Sequence, residues 1–348
     1  MFDDSRYALR TLRHNPAYTI AAILTIALGI AASTAIFSMV NGVLLRRLPI
    51  GVGDRFLHLT QLSAQSPNDQ GFSVREIRDL NAMTYTMSGV AEYHSMSFQL
   101  YGYGEPLRVQ TGVVSDKFFD MLGVKPILGR TFRPGEEEVG APPVVVLTHK
   151  FWMDQFHGDP SIIGAKFTMN DKVHTVIGVL PAMPGYPNND EMFMPAGACP
   201  FRSAPVMLND YGMRMVAAFG VLRPGVSLER AQTELTTLAA RLHAAHPEAY
   251  PADQRLHYVP ELARDEMTAR ARPILLLLLA TAAFLLLAAV ANVANLTLSR
   301  QIRRARETAV RVALGAPNAR LYQQLALESL YVSLAGAVLG VALAGAGV

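Results

Sequence analysis

Cysteine is almost missing from this sequence. Cys199 is the only one, so no disulfide can close within the chain, and neither a Cys-rich zinc site nor a CxxC redox pair can be assembled. Charge is scarce too: charged side chains make up 17% of the residues, against about 25% in an ordinary soluble chain. The shortfall is local, concentrated in a few long stretches without any charge. None of Lys117, Lys125, Lys150, Lys166 and Lys172 follows a glycine, which excludes the G-x-x-x-x-G-K-[ST] loop that cradles nucleotide phosphates. HExxH and GxSxG are also lacking. The net charge of +3 is too small to argue for nucleic acid. No catalytic, cofactor-binding or metal-binding constellation emerges, and the chain is read as non-enzymatic.

What the chain does have is three apolar runs. Tyr18 to Leu45 and Pro273 to Ser299 carry no charged side chain, and a third run from Leu321 to Val348 is interrupted only by Glu328. A span needs about 20 apolar residues, and all three qualify. Arg6, Arg10 and Arg13 before the first run, with Gly29-Ile30-Ala31-Ala32 inside it, resemble a cleavable signal. The run continues well past those small residues, so an uncleaved span is expected. The expected class is an integral membrane α-helical protein with a large α/β extracytoplasmic domain. Its parts are an amphipathic cytoplasmic helix over 1–17, spans over 18–45, 273–299 and 321–348, a domain over 46–272, and a cytoplasmic loop over 300–320.

Orientation follows the arginines near the spans. Arg6, Arg10 and Arg13 flank the first. Arg300, Arg303, Arg304, Arg306, Arg311 and Arg320, against the single acid Glu307, follow the second. Both segments are expected in the cytoplasm. Arg46 and Arg47 oppose this, but long domains are translocated largely regardless of charge.

Within 46–272, Ser73-Val74-Arg75-Glu76 fits a capping box, and Val74, Ile77 and Leu80 then make a helical stripe. A second helix is expected from Ser227, with Leu228, Ala231, Leu235, Leu238, Ala239 and Leu242 in period until His246-Pro247. Strands are expected over 109–114, 144–147, 173–180 and 215–222. Residues 181–205, rich in Pro, Gly, Asn and Met, read as a long loop and a joint between subdomains. His243 and His246 lie one helical turn apart, a spacing for a metal or simply a solvated helix end. Glu136-Glu137-Glu138 reads as a solvated turn.

Two cytoplasmic segments stand out. Ser5 to Asn15 can form a helix with Arg6, Arg10 and Arg13 on one face and Ala8 and Leu12 toward another, ended by Pro16. It is either an interfacial helix or a positive flank that fixes topology. From Arg300 to Leu314, Ile302, Ala305, Ala309, Val312 and Ala313 line one side and arginines the rest. Glu307 and Arg311 form an i, i+4 pair in the favourable order. Gly315 stands where a left-handed cap is needed, and Pro317 prevents continuation. A topology signal needs the charges but neither the stripe nor the cap, so this helix is expected to dock a protein. In the membrane, Ala27, Ala31 and Ala35 recur every fourth residue, as do Gly336, Gly340 and Ala344, and Asn292 and Asn295 lie one turn apart. These faces are expected to pack spans within one copy or between two.

The stretch Arg303-Arg304-Ala305-Arg306-Glu307-Thr308-Ala309-Val310-Arg311-Val312-Ala313-Leu314-Gly315-Ala316 resembles the cytoplasmic loop of MacB/FtsX-like permeases of ABC transporters. Arg6-Tyr7-Ala8-Leu9-Arg10, Asn15-Pro16, Leu28-Gly29-Ile30, Asn41-Gly42-Val43-Leu44-Leu45 and Ala291-Asn292-Val293-Ala294-Asn295-Leu296 are similar too. The resemblance implies a MacB-like periplasmic core with a porter-like part and a small α/β subdomain. It also implies a bacterial inner-membrane location, a cytoplasmic ATPase partner that hydrolyses ATP, a second permease copy and a periplasmic adaptor. Arg303, Arg306, Glu307, Arg311 and Gly315 would couple to the ATPase, for export or mechanotransmission. The same resemblance allows control of a cell-wall hydrolase without cargo. The family has four spans and this sequence shows three, which reads as most of the first half of a duplicated permease like those common in acidobacteria. A ligand sensor is the rival reading, but it needs a cytoplasmic output domain that the sequence lacks.

The arginine distribution makes a direct prediction. Reporter fusions after Arg130 should behave as extracytoplasmic and fusions after Arg306 as cytoplasmic; the same compartment for both would refute the topology.

Overall fold

The computed structural model describes residues 10–42, 50–66, 68–102, 104–269, 271–303, 305–313 and 318–347. The chain divides into two compact units, Met1–Arg46 with Thr268–Val348, and Arg47–Met267. In chain order the elements begin with α1 (Pro16–Val40), β1 (Phe56–Leu62), α2 (Val74–Met83), β2 (Met87–Leu100) and β3 (Leu107–Val114). There follow α3 (Phe118–Leu122), β4 (Leu128–Gly129), β5 (Val144–Leu147), α4 (His149–Phe156), β6 (Lys166–Met169) and β7 (Lys172–Val179). Next are β8 (Met192–Pro195), α5 (Pro205–Asn209), β9 (Ala217–Leu222), α6 (Leu228–Ala245), β10 (His257–Leu262) and α7 (Ala263–Ala269). The chain ends in α8 (Ala271–Arg303), α9 (Ala305–Ala313) and α10 (Asn318–Gly347).

The strands form one mixed sheet in the order β10-β1-β9-β2-β3-β8-β5-β7-β4, with β6 paired to β7. The β3–β8 and β5–β7 pairs are parallel. Helices α2 and α6 cover the β1, β9 and β10 end with Ile77, Leu80, Leu235 and Leu242, while Phe151 and Phe156 of α4 pack with Val145 and Phe167 at the other end.

Helix α2 starts because Ser73 and Glu76 satisfy each other's backbone. Ser73 Oγ accepts from Glu76 N–H at 3.1 Å, and Glu76 Oε2 accepts from Ser73 N–H at 2.6 Å. Glu76 is fully buried. Its Oε1 accepts from Gln61 Nε2 at 3.0 Å, Tyr250 OH at 2.7 Å and Tyr258 OH at 3.2 Å. One capping carboxylate thus ties α2 to β1, β10 and the turn after α6. Burial, then the facing Glu76 charge, hold both tyrosine hydroxyls in their neutral, donating form. Helix α6 begins as its sequence suggests, with Ser227 Oγ accepting from Arg230 N–H at 3.3 Å.

Four expectations need correction. Residues 181–205 are not simply a loop, because Met192–Pro195 is the buried strand β8 between β3 and β5. A strand covered on both faces shows no alternation, and its Pro-rich flanks hide it. Glu136 and Glu137 are not a solvated turn. Glu136 accepts from Arg130 Nη2 at 2.6 Å and Nη1 at 3.0 Å, and Glu137 from Asp116 N–H at 3.0 Å. Burial opposes the Glu136 charge, yet Arg130 and the Arg133 N–H hold its carboxyl below the usual range. At Glu137 burial prevails and pushes the carboxyl up. His243 and His246 do not stand free in solvent. His243 stacks on Tyr250 with centroids 4.4 Å apart, and His246 on Tyr211 at 3.9 Å. The helix expected to stand alone over 300–314 begins instead as the end of the second span, since Arg300 to Arg303 belong to α8, and Ala305–Ala313 is helical as α9. Of the N-terminal helix, residues 10–13 are helical, and Leu12 packs with Ala22 and Val332; Arg6 to Leu9 lie outside the described residues.

Removing the Glu76 carboxylate leaves several buried donors unpaired. Glu76→Ala should destabilise the sheet unit by about 3 kcal/mol, and Ser73→Ala by about 1 kcal/mol. Trp152, the sole tryptophan and within α4, reports the urea midpoint by fluorescence. Equal midpoints for Glu76→Ala and wild type would refute the clamp.

Candidate coupling site in the membrane-spanning unit

Length and apolar character single out three helical segments, Pro16–Val40, Ala271–Arg303 and Tyr322–Ala346, as able to cross a membrane. A helix keeps its backbone hydrogen bonds within itself, the condition for spanning hydrocarbon. Apolar side chains gain little by leaving lipid for one another, so association needs close approach or polar contact.

Close approach is supplied by glycine. A Cβ on Gly336 would lie 2.7 Å from Ile26 Cγ2, and one on Gly340 would lie 2.8 Å from the carbonyl oxygen of Ala27. Ala27 and Ala344 are buried, while Ala31 and Ala35 are not. The structure therefore brings Ala27, Gly336 and Gly340 together between α1 and α10 of one copy. Another side of α1 meets α8: a Cβ on Gly29 would lie 3.2 Å from Ala289 Cβ, and Ser33 Oγ donates to the Ala282 carbonyl at 3.4 Å. Sequence reasoning missed Gly29 as a packing position, because one glycine among alanines leaves no periodic signal. Asn292 and Asn295 are exposed on α8 and take no part in these contacts.

Polar contact comes from one cluster with a member on every span. Arg300 of α8 pairs with Glu328 of α10 at 2.9 Å, and the two side chains are only 10% and 9% exposed. The Arg300 guanidinium carbon lies 4.7 Å from the centre of the Tyr18 ring of α1. Tyr18 OH and Thr297 Oγ1 of α8 share a hydrogen bond at 2.9 Å. Arg300 Nε and Nη2 are buried without a hydrogen-bond partner among the described residues. Arg300 is thus turned into the bundle rather than onto a basic docking face, a further correction. The signal was present in the sequence: a lone acid in an uncharged span asks for a buried cation.

Arg303, three residues beyond Arg300, is the last described residue of α8, and α9 is described from Ala305. Ile302 and Val310 are 68% and 59% exposed, and Arg303, Ala305, Arg306, Ala309 and Ala313 are exposed as well. Glu307 and Arg311 lie within α9. Gly315, with Arg304 and Pro317, lies outside the described residues. Of the apolar stripe, Ile302, Ala305, Ala309 and Ala313 are therefore not covered by this chain's own described spans, and the buried Arg300 stands just before them. The buried pair joins the end of α8 to α10, and Tyr18 joins the same cluster to α1.

A family model described as the MacB-like periplasmic core domain matches residues 19–238, and one described as FtsX-like permease C-terminal matches 279–347. The chain is 26% identical over 367 aligned positions to the macrolide export ATP-binding/permease protein MacB of Azoarcus sp. (strain BH72), covering 98% of this chain and 51% of that one. Identity to the protein of the same name from Bdellovibrio bacteriovorus is 23%, covering 99% and 53%. The chain spans about half the length of these curated relatives. Among solved structures, the periplasmic region of MacB from Actinobacillus actinomycetemcomitans aligns with a TM-score of 0.46 and 15% identity, over 68% of this chain and 97% of that one. The extracellular domain of the ABC-type transporter YknZ from Gram-positive bacteria aligns with a TM-score of 0.43 and 16% identity, over 59% and 99%.

Side chains at the glycine contacts should force α1 and α10 apart. Gly340→Val is expected to cost about 1–3 kcal/mol and to lower the thermal midpoint of the detergent-solubilised chain. Gly345→Val, whose Cβ would meet nothing within 4 Å, should leave it near wild type. Equal midpoints for the two variants would remove the close-packing account.

Proposed function

The chain belongs to the MacB-like periplasmic core domain family, here carried on membrane spans with an FtsX-like permease segment, and from that premise we propose that it is a permease subunit whose α9 receives the motion of a cytoplasmic ATPase. The observation that carries this reading is the exposure of large apolar side chains on this short basic segment, Ile302 at the end of α8 at 68% and Val310 of α9 at 59%, next to a buried ion pair. Motion of α9 passes along α8 and α1 to the sheet domain, for export or for mechanotransmission. The N-terminus and α9 lie in the cytoplasm of a bacterial inner membrane and the sheet domain lies outside, an orientation supported by the arginines at Arg10, Arg13, Arg303 and Arg306.

The two relatives named for macrolide export are also named for ATP binding. This chain has no phosphate-cradling loop in its own sequence, so ATP is hydrolysed by a partner. A second permease copy completes the machine, and a periplasmic adaptor extends it.

The test uses the permease co-expressed with its cognate ATPase. Glu307→Arg should insert normally yet lose about tenfold in ATPase association, ~1.4 kcal/mol, with a matching loss of ATP-driven activity. Glu105→Arg, at an exposed position in the sheet unit, is the charge-reversal control. If Glu307→Arg inserts, copurifies and works as well as the control, the segment is only a topology signal.

A further inference from the structure

The sheet unit holds a group of soft donors that the transport reading does not use. His94 and Met96 lie two residues apart on β2 and so share a face. Cys199 follows the short 3-10 turn Ala196–Ala198 after β8. Its Sγ lies 3.8 Å from His94 Nε2 and 3.8 Å from Met96 Sδ. Cys199 is wholly buried and His94 is 9% exposed. Burial pushes the Cys199 thiol up, against the backbone N–H groups of Arg202 and Phe201 that face the sulfur and favour its anion. His94 Nδ1 has no hydrogen-bond partner among the described residues, so the weak contact to sulfur is the ring's recorded polar contact. The nitrogen turned toward Cys199 is Nε2, whose recorded contact is that long one to sulfur, and a buried ring nitrogen so weakly partnered requires a reason.

The donor set supplies one. Thiolate, imidazole and thioether together select a soft ion, and a bound cation is what turns a buried thiol into a thiolate. With bonds of about 2.3 Å to sulfur and about 2.0 Å to nitrogen, trigonal coordination separates S and N donors by about 3.7 Å and two S donors by about 4.0 Å. The two spacings measured from Cys199, 3.8 Å to nitrogen and 3.8 Å to sulfur, match. We propose that Cys199, His94 and Met96 form a binding site for a monovalent soft cation, copper(I).

Charge selects the same ion. Arg202 beside the site is already neutralised by Glu92, with Nε 2.6 Å from Oε2 and both side chains 4% exposed. Copper(I) with one thiolate is neutral, whereas a divalent ion would bury a net charge. On binding, the Cys199 S–H proton leaves to solvent as the Cu–S bond forms; the ion arrives and stays as copper(I). Access runs past Met96, which is half-buried, and Phe201, which is 37% exposed with its ring 6.2 Å from that of His94. A loaded ion would join β2 to the turn after β8.

The experiment titrates the full chain in detergent with copper(I) under anaerobic competition from bicinchoninate. Wild type should take one equivalent, with sulfur and nitrogen donors in the X-ray absorption spectrum. Cys199→Ser and Cys199→Ala should abolish uptake, and Met96→Leu should weaken it about tenfold or more. Trp152 fluorescence checks that each variant is folded. The site is refuted if wild type takes no copper(I), if folded Cys199 variants retain it, or if zinc binds the same residues more tightly. Should both Cys199 variants fail to fold, unchanged affinity in Met96→Leu, a swap of similar volume, refutes it equally.

Discussion

Arg300 and Glu328 can be buried together but not apart. At 2.9 Å and about a tenth exposed, each cancels the charge that would otherwise drive the other toward water. Removing one partner of such a pair costs about 3–5 kcal/mol. Because Tyr18 of α1 covers the guanidinium and binds Thr297, the pair fixes the relative rotation of three helices that lipid would otherwise leave indifferent. The glycine contacts at Gly336, Gly340 and Gly29 then set how near they come. A charged pair with full stability only in one arrangement favours that one arrangement of the bundle.

The sheet unit uses the same device away from lipid. Glu76 and Glu92 are both buried carboxylates, the first shared by hydroxyl and amide donors and the second held by the Arg202 guanidinium. They occupy positions where an apolar core would have sufficed for stability. Each instead joins segments far apart in the chain, Gln61 with Tyr250 and β2 with Arg202, and so specifies which strands neighbour one another.

Legibility in the sequence followed the reach of the interactions. Spans, the Ser73 capping box and the α6 stripe were readable because helix signals are local. Strand β5 was readable as a run of β-branched residues. Strand β2 was not, because Glu92, His94, Ser95 and Ser97 make it look polar; the partners that permit their burial or pairing lie far along the chain. Strand β10 was masked by Pro260, tolerated because β10 is the sheet edge. At the candidate coupling site the basic segment was legible, while the inward turn of Arg300 was hinted at only by Glu328, alone in an uncharged span. The arginine's charge matched the positive flank expected after any span, and only the fold shows that Glu328 stands opposite.

Helix α8 has a length that its surroundings must accommodate. From Ile274 to Arg303 it contains neither glycine nor proline, and its charge-free part, Pro273 to Ser299, is about 40 Å long at ~1.5 Å per residue, against about 30 Å of hydrocarbon in an average bilayer. An unbroken rod of that length lies slanted or gathers thicker lipid around itself. Bilayer thickness then bears directly on this helix, and lipids of different chain length set the angle at which α8 crosses.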